Sequence, residues 1–152
     1  MYVLKVFLLS LFVTTIVSCA NVSTAPEEQS AVAKEFQAPE GKGTVFLYRT
    51  GRAVGAAGQL SVQVNGKYAG GTGAGTFFKW DLKPGTYTFL SSTAESSATV
   101  QIEVEAGQVY FIRQDARIGI NAGRVTMKQV DSGQGMREVK NCKLLVSAYL
   151  PD

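Results

Sequence analysis

From residue 44 onward, apolar-rich runs of strand length recur between Gly, Pro and Asn turn signals: 44–50 (TVFLYRT), 59–65 (QLSVQVN), 76–82 (TFFKWDL), 86–91 (TYTFLS), 98–105 (ATVQIEVE), 108–114 (QVYFIRQ) and 123–129 (GRVTMKQ). Such runs at short spacing predict an all-β sandwich or barrel. Leu60, Val62 and Val64 alternate with polar neighbours, as do Val100, Ile102 and Val104. That is the period of a strand with one wet face. Val45 to Tyr48 and Val109 to Ile112 are apolar at successive positions, as in strands covered on both sides, and are expected at the centre.

The turns carry their own chemistry. Asn65-Gly66 suits a two-residue hairpin, Lys83-Pro84-Gly85 a type II turn, and Ala106-Gly107 a link between adjacent strands. Gly51 to Gly58 and Gly70 to Gly75 read as mobile loops that form an adaptable rim if they fall at the same end of the domain. Asp131 is placed to cap a short helix over 132–141, whose Met136, Val139 and Cys142 recur on one face and pack on the sheet. Residues 144–146 then read as a last strand. The expected fold over 44–152 is a small β-sandwich of seven to eight strands with one short C-terminal helix.

Residues 1–18 (MYVLKVFLLSLFVTTIVS) place one base, Lys5, before an apolar run from Val6 to Val17 and end in Ser18, the layout of a secretory signal peptide. The run is shorter and richer in hydroxyl groups than a membrane-spanning helix, which needs ~20 apolar residues; a retained single span is the alternative. Ile16-Val17-Ser18-Cys19 resembles the lipobox of bacterial lipoproteins: an aliphatic residue (more usually Leu), a variable one, a small one and the modified cysteine. The resemblance implies a diacylglyceryl group on the Cys19 thiol, cleavage before that residue, and acylation of the new amine. Acyl chains contribute ~0.8 kcal/mol per buried CH₂, and two or more anchor stably. Ala20, where aspartate would favour retention in the inner membrane, implies the outer membrane, facing the periplasm. A conventional cleavage site, with Cys19 an ordinary residue, is the competing reading. Residues 20–43 are polar and acidic, with Pro26 and Pro39 and no apolar stripe. With Cys19 they are read as a flexible linker, coil throughout, of about 25 to 30 Å typical reach.

Removing 18 residues from 152 leaves 134, enough for one ordinary domain. The net charge of +3 falls to +2 when Lys5 leaves. Arg49, Arg52, Arg113, Arg117, Arg124 and Lys128 are scattered along the sequence, so no nucleic-acid partner is indicated. The chain has no histidine, the usual general base near neutral pH and the commonest metal ligand, which excludes Ser–His and Cys–His triads. With Cys19 lipidated, Cys142 has no partner in its own chain and reads as a buried packing residue.

Asp81, Asp115 and Asp131 lack ligand-spaced neighbours, so neither a metal nor another cofactor is called for. Gly70 to Gly75 lacks the Gly-Lys-Ser/Thr ending of a phosphate-binding loop. Glu103 and Glu105 alternate on a wet face. In 76–82, Phe78, Trp80 and Leu82 share the core side, which leaves Phe77 and Lys79 on the other. Phe77 and Lys79, with Arg52 in the first loop, are the candidates for contact with a partner.

GKGTVFLYR at the start of the domain, then VQVNGKYAG, FFKWDLKPGTYTF and, after the short helix, NCKLL resemble the small bacterial lipoproteins grouped as domain of unknown function 2846, over most of residues 41–146. VNGKYAGG followed by LKPGTYTF is also similar to the PEGA repeat of bacterial surface proteins, here in a single copy. Both resemblances imply a β-sandwich on the cell envelope, and neither brings a ligand, cofactor or catalytic residue. The expected function is that of a membrane-anchored envelope lipoprotein, not an enzyme, whose domain binds an envelope protein or glycan or serves as an accessory in assembly. Two alternatives stay open. A carrier of small hydrophobic ligands needs an empty apolar cavity of several hundred Å³. A histidine-free enzyme needs a cleft that gathers Lys, Ser, Tyr or carboxylate groups with perturbed ionisation.

Overall fold

The computed structural model describes residues 22–51, 58–121 and 123–152. β1 (Gly43–Arg49) is buried at every position, and its neighbours show why. It lies at the centre of a five-stranded sheet, antiparallel to β4 (Thr76–Leu82) and parallel to β7 (Val109–Arg117). Outside β7 lies β8 (Arg124–Val130), and outside β4 the two-residue β9 (Lys143–Leu144). The second sheet joins β3 (Lys67–Thr72), β2 (Leu60–Val64), β5 (Gly85–Ser92) and β6 (Ser97–Val104), in that order.

Val45, Leu47, Phe78, Trp80 and Ile112 of the first sheet meet Val62, Val64, Phe89 and Ile102 of the second. This is an all-β sandwich with an interdigitated core. The alternation expected of β2 is present: Leu60, Val62 and Val64 are buried, Ser61 and Gln63 half-buried. Asn65 and Gly66 adopt φ of 48° and 76°, the left-handed pair that a two-residue hairpin requires, and β2 pairs with β3 across them.

The outer face of the five-stranded sheet is covered too. α1 (Glu27–Ala33) and α2 (Ser132–Val139) bury Phe46, Tyr48, Phe77 and Phe111 with Ala33, Val139 and Cys142. The double apolarity of 45–48 therefore reports two cores, one on each side of β1. α2 begins where expected, the Asp131 carboxylate accepting a hydrogen bond from the Gln134 amide at 2.9 Å, but ends at Val139 rather than 141; its Met136 and Val139, with Cys142 just beyond it, meet the sheet.

Several expectations are corrected. Residues 27–36, read as coil, contain α1, whose inward residues are Ser30 and Ala33. These are too small to register as an apolar stripe, yet their size lets the helix sit close. Phe36 then enters the aromatic cluster, its ring 5.3 Å from Phe46 and 5.7 Å from Phe111. The preceding residues are sewn to the C-terminal segment: the Ala25 amide donates to the Leu144 carbonyl at 2.8 Å and the Val146 amide to the Ser23 carbonyl at 2.9 Å. Gly70, Gly71 and Thr72, read as loop, belong to β3. The turns at 83–85 and 106–107 carry the chain from one sheet to the other rather than between hydrogen-bonded neighbours. The last strand is Lys143–Leu144 rather than 144–146. The leader 1–18, Cys19 and Arg52 lie outside the described residues.

Candidate functional site

Of the residues expected to meet a partner, Phe77 is 0% exposed. It points away from Phe78 and Trp80, as alternation predicts, but into the second core, its ring 5.9 Å from Phe46. It is a packing residue, because the helices occupy the face assigned to solvent. Lys79 stays near the surface with its ammonium 2.7 Å from Asp81, and the Thr44 hydroxyl donates to the same carboxylate at 2.6 Å. Beside Lys79, Val32, Ala33 and Leu144 border an open groove of about 360 Å³. Gly51 lies against Gly75, so the described parts of the two glycine-rich loops do meet at one end of the sandwich.

Strand pairing gathers a different set of residues at that end. β1 and β7 align Tyr48 with Arg113 and Arg49 with Gln114. β7 and β8 align Arg113 with Lys128 and Arg117 with Arg124. Residues opposite one another on antiparallel strands share a face, and like charges so placed repel. The result is a cationic ladder on the outer face of the β7–β8 ribbon, interrupted by Asp115 opposite Thr126. Two adjoining open clefts of about 420 and 290 Å³ share Arg113, Asp115 and Arg117.

Arg113 is fixed by Asp115 at 3.0 Å and by Glu138 of α2 at 2.9 Å. Burial works against its charge, but the hydrogen bond and charge of Asp115, with Glu138, prevail and raise its pKa. The Tyr48 hydroxyl donates to Glu138 at 2.5 Å. Burial first, and that carboxylate second, push its pKa far above the ordinary tyrosine range, so it stays protonated. Arg49 is 3% exposed and donates to the Gly58 carbonyl at 2.6 Å; burial lowers its pKa, with Asp115 opposing. Next to it Thr72 donates to the Gln114 side-chain oxygen, and the Gln114 amide nitrogen donates to Ser91 at 2.6 Å. Polar groups thus close this end of the interior with their hydrogen bonds made.

Arg124 pairs with Glu95 at 3.0 Å, and Glu95 also accepts from the Ile120 amide at 3.0 Å, which ties the β7–β8 loop to the β5–β6 loop. Arg117 and Lys128 have no ion-pair partner among the described residues. Beyond them Ile118 and Ile120 are each 83% exposed. Fixed guanidinium groups on an open face suit anions, bound bidentately at phosphate or carboxylate oxygens.

Cys142, in contrast, is the packing residue expected. Burial, opposed by Lys34 and aided by Glu138, pushes its thiol up to about 11, which leaves little thiolate at neutral pH. In the sequence the cationic ladder reads as scattered charge, because Arg113 and Lys128, like Arg117 and Arg124, become neighbours only through the β7–β8 pairing. The available signal was the alternation of Arg113, Asp115 and Arg117, matched by Arg124, Thr126 and Lys128.

The profile of a family described as "Protein of unknown function (DUF2846)" matches residues 39–128, more than half of the 152 residues. The chain belongs to this family. An uncharacterized protein of Haemophilus influenzae is 29% identical over 131 residues, 86% of this chain and 77% of its own length. The family match takes in the whole cationic ladder and leaves out α1, α2 and β9. Among the described residues no helix is long and apolar enough to cross a membrane.

Proposed function

We propose that this chain is an exported lipoprotein, cut before Cys19 and held to the outer membrane by lipid on that cysteine, whose sandwich is a non-catalytic binding or accessory module of the cell envelope. The lipobox Ile16-Val17-Ser18-Cys19 supplies the anchor. The observation that carries the reading is where the packed chain starts. Val22 already packs against the sandwich core, and Ser23 and Ala25 are hydrogen-bonded to the C-terminal segment. Val22 is the third residue after Cys19, a span of at most ~10 Å. The domain in this reading rests against the bilayer, and the longer coil-like reach expected of residues 20–43 does not apply.

Binding on the outside is favoured over carriage inside, because Phe78, Trp80, Leu82 and Phe89 fill the space between the sheets. The absence of histidine from the sequence supports a module without acid–base chemistry of the usual kind. The test is Cys19→Ala expressed in the native host. Acyl incorporation is expected to vanish, and the protein to move from the membrane fraction to the soluble one or to stay unprocessed. A variant that still incorporates acyl chains and partitions like wild type would refute the anchor.

A further inference from the structure

We infer that the β7–β8 hairpin is a second, non-covalent contact with the membrane: Ile118 and Ile120 enter the acyl boundary of the bilayer while Arg117, Arg124 and Lys128 meet the phosphates of anionic phospholipids. This rests on the anchor at Cys19 and specifies which end of the domain faces the lipid.

The tip is built and held out. Ile118 and Ile120 are each 83% exposed, and the loop that carries them is tied down by Glu95, which holds the Ile120 amide and Arg124, both at 3.0 Å. It is not folded back onto the core. Immediately behind it Arg117 stands opposite Arg124; Glu95 already answers the charge of Arg124, while Arg117 has no ion-pair partner among the described residues, and an anionic phosphate supplies the counter-charge. Arg113, Arg117, Arg124 and Lys128 outnumber Asp115, Glu95 and Glu138 in this region. An apolar tip with a basic shoulder is the complement of an anionic lipid interface, where apolar groups insert and cations sit at headgroup level.

The start of the packed chain points to the same end. Val22 lies 3.5 Å from the Cβ position of Gly73, in the β3–β4 turn. Gly75 of that turn donates its amide to the Arg49 carbonyl at 3.0 Å. Arg49 is aligned with Gln114, three residues before Arg117 on the parallel strand. A bilayer holding the Cys19 lipid within ~10 Å of Val22 is therefore on the side from which the hairpin projects.

The test uses processed protein purified from host membranes, its acyl mass verified, and reconstituted into vesicles of phosphatidylethanolamine and phosphatidylglycerol. An environment-sensitive fluorophore is placed at Ile118→Cys or, as control, at Tyr68→Cys, which is 58% exposed beside the Asn65-Gly66 hairpin at the opposite end. Cys142 is buried and escapes labelling. The probe at 118 is expected to shift to the blue and to lose most of its emission to headgroup spin-labelled lipid, and the probe at 68 to do neither. Replacing phosphatidylglycerol by phosphatidylcholine, or introducing Arg117→Glu with Lys128→Glu, is expected to reverse most of that loss. Acylated protein in which both probes behave alike overturns the hairpin contact and leaves the anchor standing. Quenching at 118 that ignores lipid charge overturns the role given to the cations. Absence of acyl mass overturns the anchor reading and this inference with it.

Discussion

Phe46→Ala is expected to lower the stability of the domain by about 3–5 kcal/mol, the range for removing a fully buried aromatic ring. Phe46 is 0% exposed and stacks on Phe111 at 5.1 Å, with Phe36 at 5.3 Å and Phe77 at 5.9 Å. No neighbour can fill the space without leaving its own site. The damage should extend beyond the cavity, because α1 has seven residues, far below the length at which a helix persists alone, and relies on this cluster through Ala33 and Phe36. Urea unfolding of wild type, Phe46→Leu and Phe46→Ala should give an ordered series, with helical signal lost first in the alanine variant. A loss below ~1 kcal/mol for Phe46→Ala, outside the range for a buried ring, would mean that the helical layer does not pack on the sheet as described.

Gly135→Ala is the second large effect, and its sign runs against helix propensity. In an isolated helix alanine is better than glycine by roughly 1 kcal/mol. Here a Cβ on Gly135 would lie 2.1 Å from Cγ of Phe111, a ring locked between β1 and the helices. Overpacking of this kind typically costs about 1–3 kcal/mol, and lifting α2 also strains the Glu138 contacts to Arg113 and Tyr48. A contact this close takes the upper end of that range, about 3 kcal/mol, so after the gain in propensity a net destabilisation of about 2 kcal/mol is expected. Gly133 in the same helix is the control. A Cβ there meets the Asp131 Oδ1 that caps the helix and the Arg137 guanidinium, at 3.2 and 3.4 Å, a much looser contact than at Gly135, so Gly133→Ala should change stability far less. Thermal unfolding should therefore show a clear loss for Gly135→Ala and little change for Gly133→Ala, and a stabilised Gly135→Ala would contradict the close docking of α2.

The sandwich was readable in the chain because β2 and β1 announce their surroundings in different ways. Leu60, Val62 and Val64 alternate because one face of β2 is less covered, and Val45 to Tyr48 do not because β1 has a core on either side. What covers the outer face was not readable. Phe77 looked exposed because α1 presents Ser30 and Ala33 inward, and small side chains can close-pack against a sheet without leaving a hydrophobic period. The cationic ladder was hidden for a topological reason. Asn65-Gly66 declares its own hairpin, whereas the longer connection 118–123 between β7 and β8 does not by itself fix the register that sets Arg113 opposite Lys128 and Arg117 opposite Arg124. Arg113, Arg117, Arg124 and Lys128 therefore look scattered until that pairing is known.

The lipid anchor at Cys19 is the claim on which the placement of the whole domain depends. Its most direct test is the mass of the mature protein, purified from membranes of the native host and resolved to its N-terminal peptide. The mature chain is expected to begin at Cys19 and to carry a diacylglyceryl group on sulfur, with a further acyl chain on the amine where the host adds one. A chain that begins at another residue, or at Cys19 with a free thiol, would contradict it.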